Sequence, residues 1–343
     1  MLVPSKRLVR STAVLALSFA AACAHSGPSS STSPHGHGAL RDPGPLAKAW
    51  RLPSRCVKAD GSVLSETELY QALDAAKVVY IAERHTSPHD HAVQAQVIAA
   101  LHSINPSMAI GLEMIKRPFQ KWLDDYVAGN IDEATMLEGT EWRRRWGFKF
   151  ALYRPIFEFA RSHKIPLVAL NIKDEITSKV AREGVEGLSS DDKALLPEID
   201  FDQANYRASL KSVFDQHNMG SGSMTFDNFY TAQLLWDETM AQRVAEIMNA
   251  PDAPKTMVVL AGSGHIRYGF GIPQRAARRG AEPYQTVLPV LLDHLDVPLA
   301  NLAADNIADY LWVMSADERK LPRLGPHPHP TSQPSSRPVT ASR

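Results

Sequence analysis

Cysteine is scarce in this 343-residue sequence, which has only Cys23 and Cys56. Two cysteines are too few for the disulfide framework that stabilises many small secreted domains. If Cys23 carries a lipid, as its surroundings indicate below, Cys56 has no partner for an intramolecular disulfide, and burial is the common fate of such a lone cysteine. At this length the chain can bury a sizeable core, and we expect that core to hold the fold together.

An excess of charge of one sign is also absent, since 37 basic residues stand against 37 acidic ones. A balanced chain lacks the basic footprint of nucleic-acid-binding proteins, so no nucleic-acid partner is expected. The three arginines at 143–145 are interpreted as a solvated face. The glycine-rich stretch Gly262–His265 lacks the Lys-Ser/Thr pair of a phosphate-binding loop and does not fit the dinucleotide fingerprint. We interpret it as a tight turn that presents His265.

The apolar run Ala13–Ala22 is too short for a stable membrane span. It follows a basic segment at positions 6–10 and ends directly before Cys23. This order is typical of a cleaved export signal over residues 1–22, and the small residues before Cys23 resemble a bacterial lipobox, in which the cysteine becomes the lipidated N-terminus. An ordinary signal peptide cut at the same place is the alternative. We therefore expect a protein of the bacterial cell envelope, anchored by an N-terminal lipid, with the outer membrane favoured.

Composition divides the mature chain into three parts. Residues 23–46 are rich in Ser, Pro, Gly and His, which predicts a flexible linker, and residues 323–343 are predicted to be a disordered tail for the same reason. Between them, at 47–322, short apolar runs alternate with longer amphipathic segments, and this alternation predicts an α/β fold. The expected architecture is a central sheet, largely parallel or mixed, covered by helices, with a helical insertion or lid at about 173–249.

The apolar runs and the amphipathic segments give the expected order of elements. Strands are predicted at 77–82, 108–113, 165–171, 256–261, 286–292 and 308–314. Helices are predicted at 66–76, 88–104, 117–129, 132–142, 153–163, 173–184, 203–217 and 226–249.

The first predicted strand of this core runs directly into a histidine-rich turn. Glu83 and His85 follow the strand, and His89 and His91 come shortly after them. One carboxylate and three imidazoles therefore crowd a strand-to-helix turn, which is where open α/β sheets bind ligands.

The helix that follows this turn has a recognisable start. Ser87 is predicted to be its N-cap, Pro88 suits the first helical position, and Asp90 is expected to complete a capping box. One apolar face, with residues three or four apart, is predicted to point to the core. It consists of Val93, Val97, Leu101 and Ile104.

Polar residues also follow three further predicted strands. Glu113, Asn171 and His265 stand after the apolar runs that begin at 108, 165 and 256. If these strands are parallel, their side chains converge with that of Glu83 on one edge of the sheet, joined by His85. Four such coincidences argue for a site.

Three kinds of chemistry are open to Glu83, His85, Glu113 and His265. The set suits a divalent transition metal such as zinc or manganese. It could do acid–base work on water without a metal. It could also surround a larger cofactor, holding its propionates or supporting an axial ligand. A buried hydrogen-bond network is the alternative to all three. In the last long helix, Asp237 and Glu238 are expected on a solvated face, with a role in lining the site as the alternative.

Several sequence blocks, by their order and spacing over about residues 75–290, resemble the ChaN-type haem-binding lipoproteins of the Tiki superfamily. The blocks are Glu83-Arg84-His85 with His89 and His91, Gly111-Leu112-Glu113-Met114, Ala151-Leu152-Tyr153-Arg154-Pro155, Ala169-Leu170-Asn171, Gln233–Met240, and Ala261–His265 with Tyr268–Pro273. The resemblance implies an envelope lipoprotein that binds haem in iron acquisition.

The resemblance also implies how haem would be held. In that family a tyrosine can hold the haem iron, while His and Lys of a second subunit meet the propionates at a dimer interface, so a haem-linked homodimer is implied. By position Tyr268 is the first candidate for the iron ligand and Tyr153 the second. His85, His89 and His91 are further candidates around the cofactor. The helix start at residues 87–88 would suit a propionate, because free amides and the helix dipole favour an anion there.

The wider superfamily also resembles metal-dependent peptidases and erythromycin esterases, which carry a Gly-x-x-His motif near each end of the domain and a Glu between them. The second motif is intact at Gly262–His265 and Glu113 is present, but Ala82 stands where the first motif has glycine. This departure weakens the case for catalysis more than the case for binding, since a methyl group would strain the backbone or narrow the pocket at that position. We therefore favour haem binding without catalysis over a hydrolase that uses Glu83, His85, Glu113 and His265. A scaffold that has lost its ligand is the third reading.

Overall fold

A computed structural model describes residues 50–216 and 224–323 of the chain. The predicted export signal, the predicted lipidation site Cys23, the predicted linker at 23–46 and nearly all of the predicted tail at 323–343 lie outside the described residues. Within the described ranges no helix combines the length and the apolar character that crossing a membrane requires.

Eight strands form one mixed sheet in the order β2-β1-β8-β7-β3-β6-β4-β5. The strands are β1 (Ser54–Lys58), β2 (Val63–Leu64), β3 (Val78–Glu83), β4 (Met108–Lys116), β5 (Leu167–Asn171), β6 (Thr256–Gly262), β7 (Tyr284–Leu291) and β8 (Tyr310–Met314). Neighbours from β8 to β5 run parallel, and only β1 is antiparallel to its two neighbours. The predicted α/β fold with a largely parallel, mixed sheet is confirmed.

The helices cover both faces of this sheet. They are α1 (Glu66–Asp74), α2 (Pro88–Ile104), α3 (Gln120–Ala128), α4 (Glu133–Gly139), α5 (Trp142–Arg145), α6 (Arg154–His163), α7 (Asp174–Glu183), α8 (Ser190–Ala194), α9 (Ala204–Gln216), α10 (Phe226–Met248), α11 (Ser263–Ile266), α12 (Ile272–Ala277) and α13 (Leu299–Ala304). The helices α7 to α10 lie between β5 and β6, where the helical insertion was expected.

Two apolar cores sandwich the sheet. Successive residues of β3 point to opposite faces, as the pleat requires. Ile81 lies in the first core with Val97 of α2, whereas Tyr80 lies in the second core with Met240 of α10. Because both faces of the sheet are covered, the central strands are continuous apolar runs. Such runs are visible in the sequence, and they located these strands. The long helix α10 is therefore a wall of the second core.

The sequence missed the strands β1 and β2. The strand β1 has only Cys56 and Val57 as buried residues, and β2 has two residues, so neither makes an apolar run. The helix predicted at 132–142 is two helices, because Glu141 takes a left-handed backbone conformation with φ 53° between α4 and α5. The expected burial of Cys56 is correct.

The start of α2 confirms one part of its predicted cap and corrects another. The Ser87 hydroxyl accepts the backbone N–H of Asp90, and Pro88 is the first helical residue. Asp90 does not complete a capping box. Its carboxylate instead accepts hydrogen bonds from the backbone N–H and from the guanidinium N–H groups of Arg84, because the Arg84 side chain folds back over the turn. The prediction that Ile104 points to the core was also wrong, since this residue is 47% exposed at the last turn of the helix.

Candidate functional site

The carboxyl ends of β3, β6 and β4 meet at one edge of the sheet. These strands are adjacent in the order β3-β6-β4, and Glu83 pairs with Gly262 in the register of the first two. The end of β4 therefore brings Glu113 beside the β6 end and its neighbour His265. The convergence predicted from the sequence is what parallel register produces.

Glu83 and His85 form a hydrogen-bonded pair on the side of the first core. One carboxylate oxygen of Glu83 accepts the His85 Nδ1–H at 2.8 Å and the Tyr153 hydroxyl at 2.6 Å. Its other oxygen accepts the Gln94 amide at 2.8 Å. The carboxylate is completely buried, so these three donors replace the water that it would otherwise bind. We call Glu83 and His85 the local pair.

The pKa of each group in the local pair is shifted toward its charged form. Burial alone would raise the pKa of Glu83, but the imidazoles of His91 and His85 and the donated hydrogen bonds lower it to about 2. For His85, burial would lower the pKa, and the Glu83 hydrogen bond with the charge of Glu113 raises it above its usual value. Burial and then the charge of Glu83 hold the pKa of Tyr153 well above its usual value, so this phenol stays protonated. These interactions therefore favour the protonated imidazole of His85 and the ionised carboxylate of Glu83.

Asp237 and His265 form a second pair on the side of the second core. The two residues lie on α10 and α11, and Asp237 Oδ1 accepts the His265 Nδ1–H at 2.6 Å. Asp237 Oδ2 accepts the Tyr206 hydroxyl of α9, also at 2.6 Å. Burial would lower the pKa of His265, but the charges of Glu113 and Asp237 raise it to about 9. We call Asp237 and His265 the distant pair.

Glu113 lies between the two pairs. One carboxylate oxygen accepts the backbone N–H of Gly262 at 2.6 Å, and the other lies 3.5 Å from His265 Nε2. A Cβ atom on Gly262 would lie 2.9 Å from the His85 ring, so glycine is needed where the ring and β6 meet. Asn171 reaches the site only indirectly, because its amide donates to the backbone carbonyl of Glu113.

The expectation for α10 was wrong. Asp237 and Glu238 do not lie on a solvated face, since both are completely buried. Asp237 belongs to the site. Glu238 instead forms ion pairs with Arg275, Arg278 and Arg279, which tie α10 to α12 and to the residues after it. A long helix can bury two adjacent acidic residues because one faces the sheet edge and the other faces a neighbouring helix.

Aromatic rings flank the two imidazoles. Trp146 and Phe148 contact the His85 ring at centroid distances of 4.6 and 4.9 Å. The Trp236 ring lies 6.4 Å from that of His265. Nearby, the buried Lys116 ammonium pairs with Asp174 at 2.9 Å, and its charge opposes protonation of His265.

The other predicted residues lie in different places. His91 is buried and bonds to Gln94 and to the His85 carbonyl, so it supports the local pair and does not present a surface to an anion. His89 is partly exposed on the first turn of α2. Tyr268 lies in a turn outside the two pairs. Its half-buried ring stacks on Phe270 at 5.4 Å.

Ala82 is not strained. It lies in regular β3, paired with Ala261, and its backbone is not left-handed. Its methyl group packs in the second core, whereas Glu83 points to the Tyr153 side. The backbone-strain reason for expecting damage from an alanine here therefore does not apply.

Metal-ligating geometry is not present in the described part of the chain. Between residues 50 and 216 and between 224 and 323, no three His, Cys, Asp or Glu side chains are grouped so that they could hold a metal ion. In each pair the imidazole Nδ1 is hydrogen-bonded to a carboxylate. The site is thus a hydrogen-bonded acid–base cluster whose two free Nε2 atoms belong to imidazoles on either side of Glu113.

A family model described as haem-binding uptake, Tiki superfamily, ChaN matches residues 69–276, which is more than half of the chain. The chain belongs to this haem-binding uptake family. Among solved structures, it is similar to ChaN of Campylobacter jejuni, described as showing cofacial haem binding, with a TM-score of 0.59 and 17% identity over 76% of this chain and 96% of that one. That likeness shows a common fold.

Two further proteins also show similarity to the chain. An erythromycin esterase mutant in its open conformation has a TM-score of 0.42 and 16% identity, covering 66% of this chain and 73% of that one. The chloroplastic protein RETICULATA-RELATED 5 of Arabidopsis thaliana is 24% identical over 282 residues, which are 75% of this chain and 38% of that protein. The chain therefore spans less than half the length of this curated relative.

Sequence reasoning missed three side chains of the site. Gln94 and Tyr206 lie in amphipathic helices, and nothing local distinguishes them from other polar helix residues. Asp237 had a signal, since a carboxylate inside an almost wholly apolar helical stretch needs a buried partner. That partner, His265, is 28 residues away along the chain.

Proposed function

We propose that the chain binds haem as a lipid-anchored protein of the bacterial cell envelope and takes part in haem acquisition. The observation that carries the proposal is the family match over residues 69–276. The fold shared with ChaN of Campylobacter jejuni, over 96% of that chain, supports it.

Of the two candidate tyrosines, Tyr153 does not fit an iron ligand. Its ring is completely buried, and its hydroxyl donates to Glu83 and accepts the Trp146 Nε1–H at 3.0 Å. An iron ion would have to break both hydrogen bonds and displace the surrounding core. Burial and the charge of Glu83 also keep its pKa well above the usual value, which opposes the phenolate that ferric iron prefers.

Tyr268 fits better. Its ring is half-buried beside Phe270, and the guanidinium of Arg267 lies 5.8 Å from the ring centroid. Within the described residues the Arg267 Nε is buried without a hydrogen-bond partner. An aromatic surface beside a guanidinium with one unpartnered N–H suits an apolar macrocycle that carries carboxylates. We therefore assign Tyr268 as the iron ligand in this proposal.

Titration of the full-length chain with hemin tests the assignment. We expect a saturable shift of the Soret band with a tyrosinate charge-transfer band, both lost in Tyr268→Phe. Tyr284→Phe is the matched control, because Tyr284 is also half-buried and packs on the same core as Tyr268. An unchanged hemin complex in Tyr268→Phe would refute this ligand, and a wild-type chain that shows no shift would refute haem binding.

The lipid anchor and the dimer have separate tests. Cys23→Ala should release the protein from the membrane fraction, and continued membrane attachment of that variant would contradict the lipobox.

A partly exposed tyrosine leaves one haem face open, which a second copy of the chain could cover. Sedimentation should therefore show a dimer with hemin and a monomer without it, and a mass unchanged by hemin would contradict a haem-linked dimer.

A second candidate function is supported by the two pairs around Glu113. We propose acid–base hydrolysis of an ester or amide, without a metal. Glu113 accepts a proton from water as the hydroxyl oxygen adds to the carbonyl carbon, and His265 Nε2 gives its proton to the departing alkoxide or amine. Hydrolysis of p-nitrophenyl acetate tests this, with loss of turnover expected in Glu113→Gln. Turnover that depends on added zinc or manganese would favour the metal-dependent form instead.

A further inference from the structure

The distant pair and the tyrosine that contacts it lie on three helices, with Tyr206 on α9, Asp237 on α10 and His265 on α11. Asp237 of α10 is completely buried, and each of its carboxylate oxygens accepts one donor at 2.6 Å, from His265 and from Tyr206. Tyr206 is 3% exposed on α9, so water does not compete for these bonds. With both oxygens engaged, the carboxylate plane has one favoured orientation.

The backbone makes room for this arrangement. A Cβ atom on Gly271 would lie 2.3 Å from the His265 carbonyl oxygen and 2.9 Å from Asp237 Oδ1. Only glycine allows the chain after α11 to pass so close beneath the pair. The His265 ring is held at Nδ1 by Asp237, which leaves Nε2 3.5 Å from Glu113.

We propose that Asp237 is the positioning residue of His265, and that Tyr206 orients Asp237, so that α9 and α10 set the direction of the Nε2–H proton. This inference rests on the acid–base function proposed above. It assigns a role to two residues that touch neither a substrate nor Glu113. Fixing an imidazole through a carboxylate on its other nitrogen is a general means of presenting one reactive nitrogen.

Nuclear magnetic resonance of the full-length chain with ¹⁵N-labelled histidine tests the positioning without a substrate. A short Nδ1–H hydrogen bond to a carboxylate gives a downfield, slowly exchanging proton, and we expect one for His265. Asp237→Asn should abolish this resonance, and Tyr206→Phe should keep it but speed its exchange with water. Tyr230→Phe is the matched control, because the Tyr230 hydroxyl makes only a 3.4 Å contact with the Phe201 carbonyl.

Hydrolysis of p-nitrophenyl acetate gives the second readout. Asp237→Asn should lower kcat about 100-fold with little change in KM, and Asp237→Glu should restore part of the loss. A His265 resonance unchanged in Asp237→Asn, or unchanged exchange in Tyr206→Phe, would overturn the positioning roles. A wild-type chain without esterase turnover would overturn the acid–base function alone, since the resonance arm still decides whether Asp237 and Tyr206 hold His265.

Discussion

The local pair and the distant pair have the same chemistry and different construction. Each joins a carboxylate to an imidazole Nδ1, and each carboxylate also accepts a tyrosine hydroxyl. Glu83 and His85 are two residues apart on a strand end, so backbone geometry alone brings them together. Asp237 and His265 are 28 residues apart and meet only when α10 packs on the sheet. The comparison shows that a carboxylate–imidazole pair can be formed by neighbouring residues or by helix packing alone. Substitutions in the two pairs should therefore change the stability of the protein by different amounts.

The largest loss of stability should come from neutralising the carboxylate of each pair, in Glu83→Gln and in Asp237→Asn. Glu83→Gln leaves three donors facing an amide, and breaking such a buried pair costs about 3–5 kcal/mol of unfolding free energy. Asp237→Asn affects two donors, so we expect a cost about 1 kcal/mol smaller. Urea unfolding at neutral pH measures both, with Glu186→Gln as an exposed control that should change little. An equal or larger loss in Asp237→Asn would break the comparison.

Glu83 of the local pair and His265 of the distant pair should lose their stabilising contributions at opposite ends of the pH range. The pKa of His265 is raised from 6.5 to about 9, so its contribution is complete below pH 6.5 and disappears as the pH rises to 9. That contribution is about 3 kcal/mol at most. The pKa of Glu83 is lowered from 4.5 to about 2, so its contribution is present above pH 4.5 and disappears as the pH falls toward 2.

Urea unfolding from pH 6 to pH 9.5 measures the alkaline half of this prediction. The loss of stability above pH 6.5 should be smaller in His265→Gln than in the wild-type chain, because the titrating group is gone. A wild-type chain that is equally stable at pH 6 and pH 9.5 would contradict the raised pKa.

Adding one methyl group beside each pair should have unequal effects. In Gly271→Ala the new Cβ meets the backbone carbonyl of His265, which cannot move away, and we expect a loss of about 1–3 kcal/mol. In Gly262→Ala it meets the far end of the His85 side chain at 2.9 Å, and a side chain shifts more easily than a backbone carbonyl, so the loss should be smaller. Thermal unfolding compares the two variants. The opposite order would show that the His85 ring is the more rigidly held group.

The smallest expected effect is that of removing one hydroxyl from each network. Tyr153→Phe and Tyr206→Phe should each cost about 1 kcal/mol, the usual value of one hydrogen bond. Tyr153→Phe should cost slightly more, because it also leaves the Trp146 Nε1–H without its acceptor. Urea unfolding of the two single variants and of the double variant measures this. Additive losses are expected because the hydroxyls serve separate carboxylates.

Much of the fold was predictable because its signals are local. The strand runs of the sheet are apolar on both faces, and α2 was predicted at 88–104 and found as Pro88–Ile104. The strands β1 and β2, at one end of the sheet, were not predicted because they are short and partly exposed. The capping box failed for a tertiary reason, since the Arg84 guanidinium competes for Asp90.

The candidate site divides in the same way. Glu83, His85, Glu113 and His265 were predicted because each follows an apolar run, and parallel strands end at one edge of a sheet. Asp237 was expected in solvent, since the sequence does not show which face of a helix meets a sheet edge. Tyr153 was expected near haem iron and instead supports Glu83.

The amino-acid sequence by itself determined the α/β architecture, the polar strand ends and the family to which the chain belongs, because apolar periodicity and motif spacing are written along the chain. Tertiary structure alone decided which carboxylate meets His265. It buried Asp237 against His265, turned Glu238 to three arginines, and left Tyr268 outside both pairs. These outcomes depend on contacts between residues far apart in sequence, and only packing of the helices on the sheet sets them.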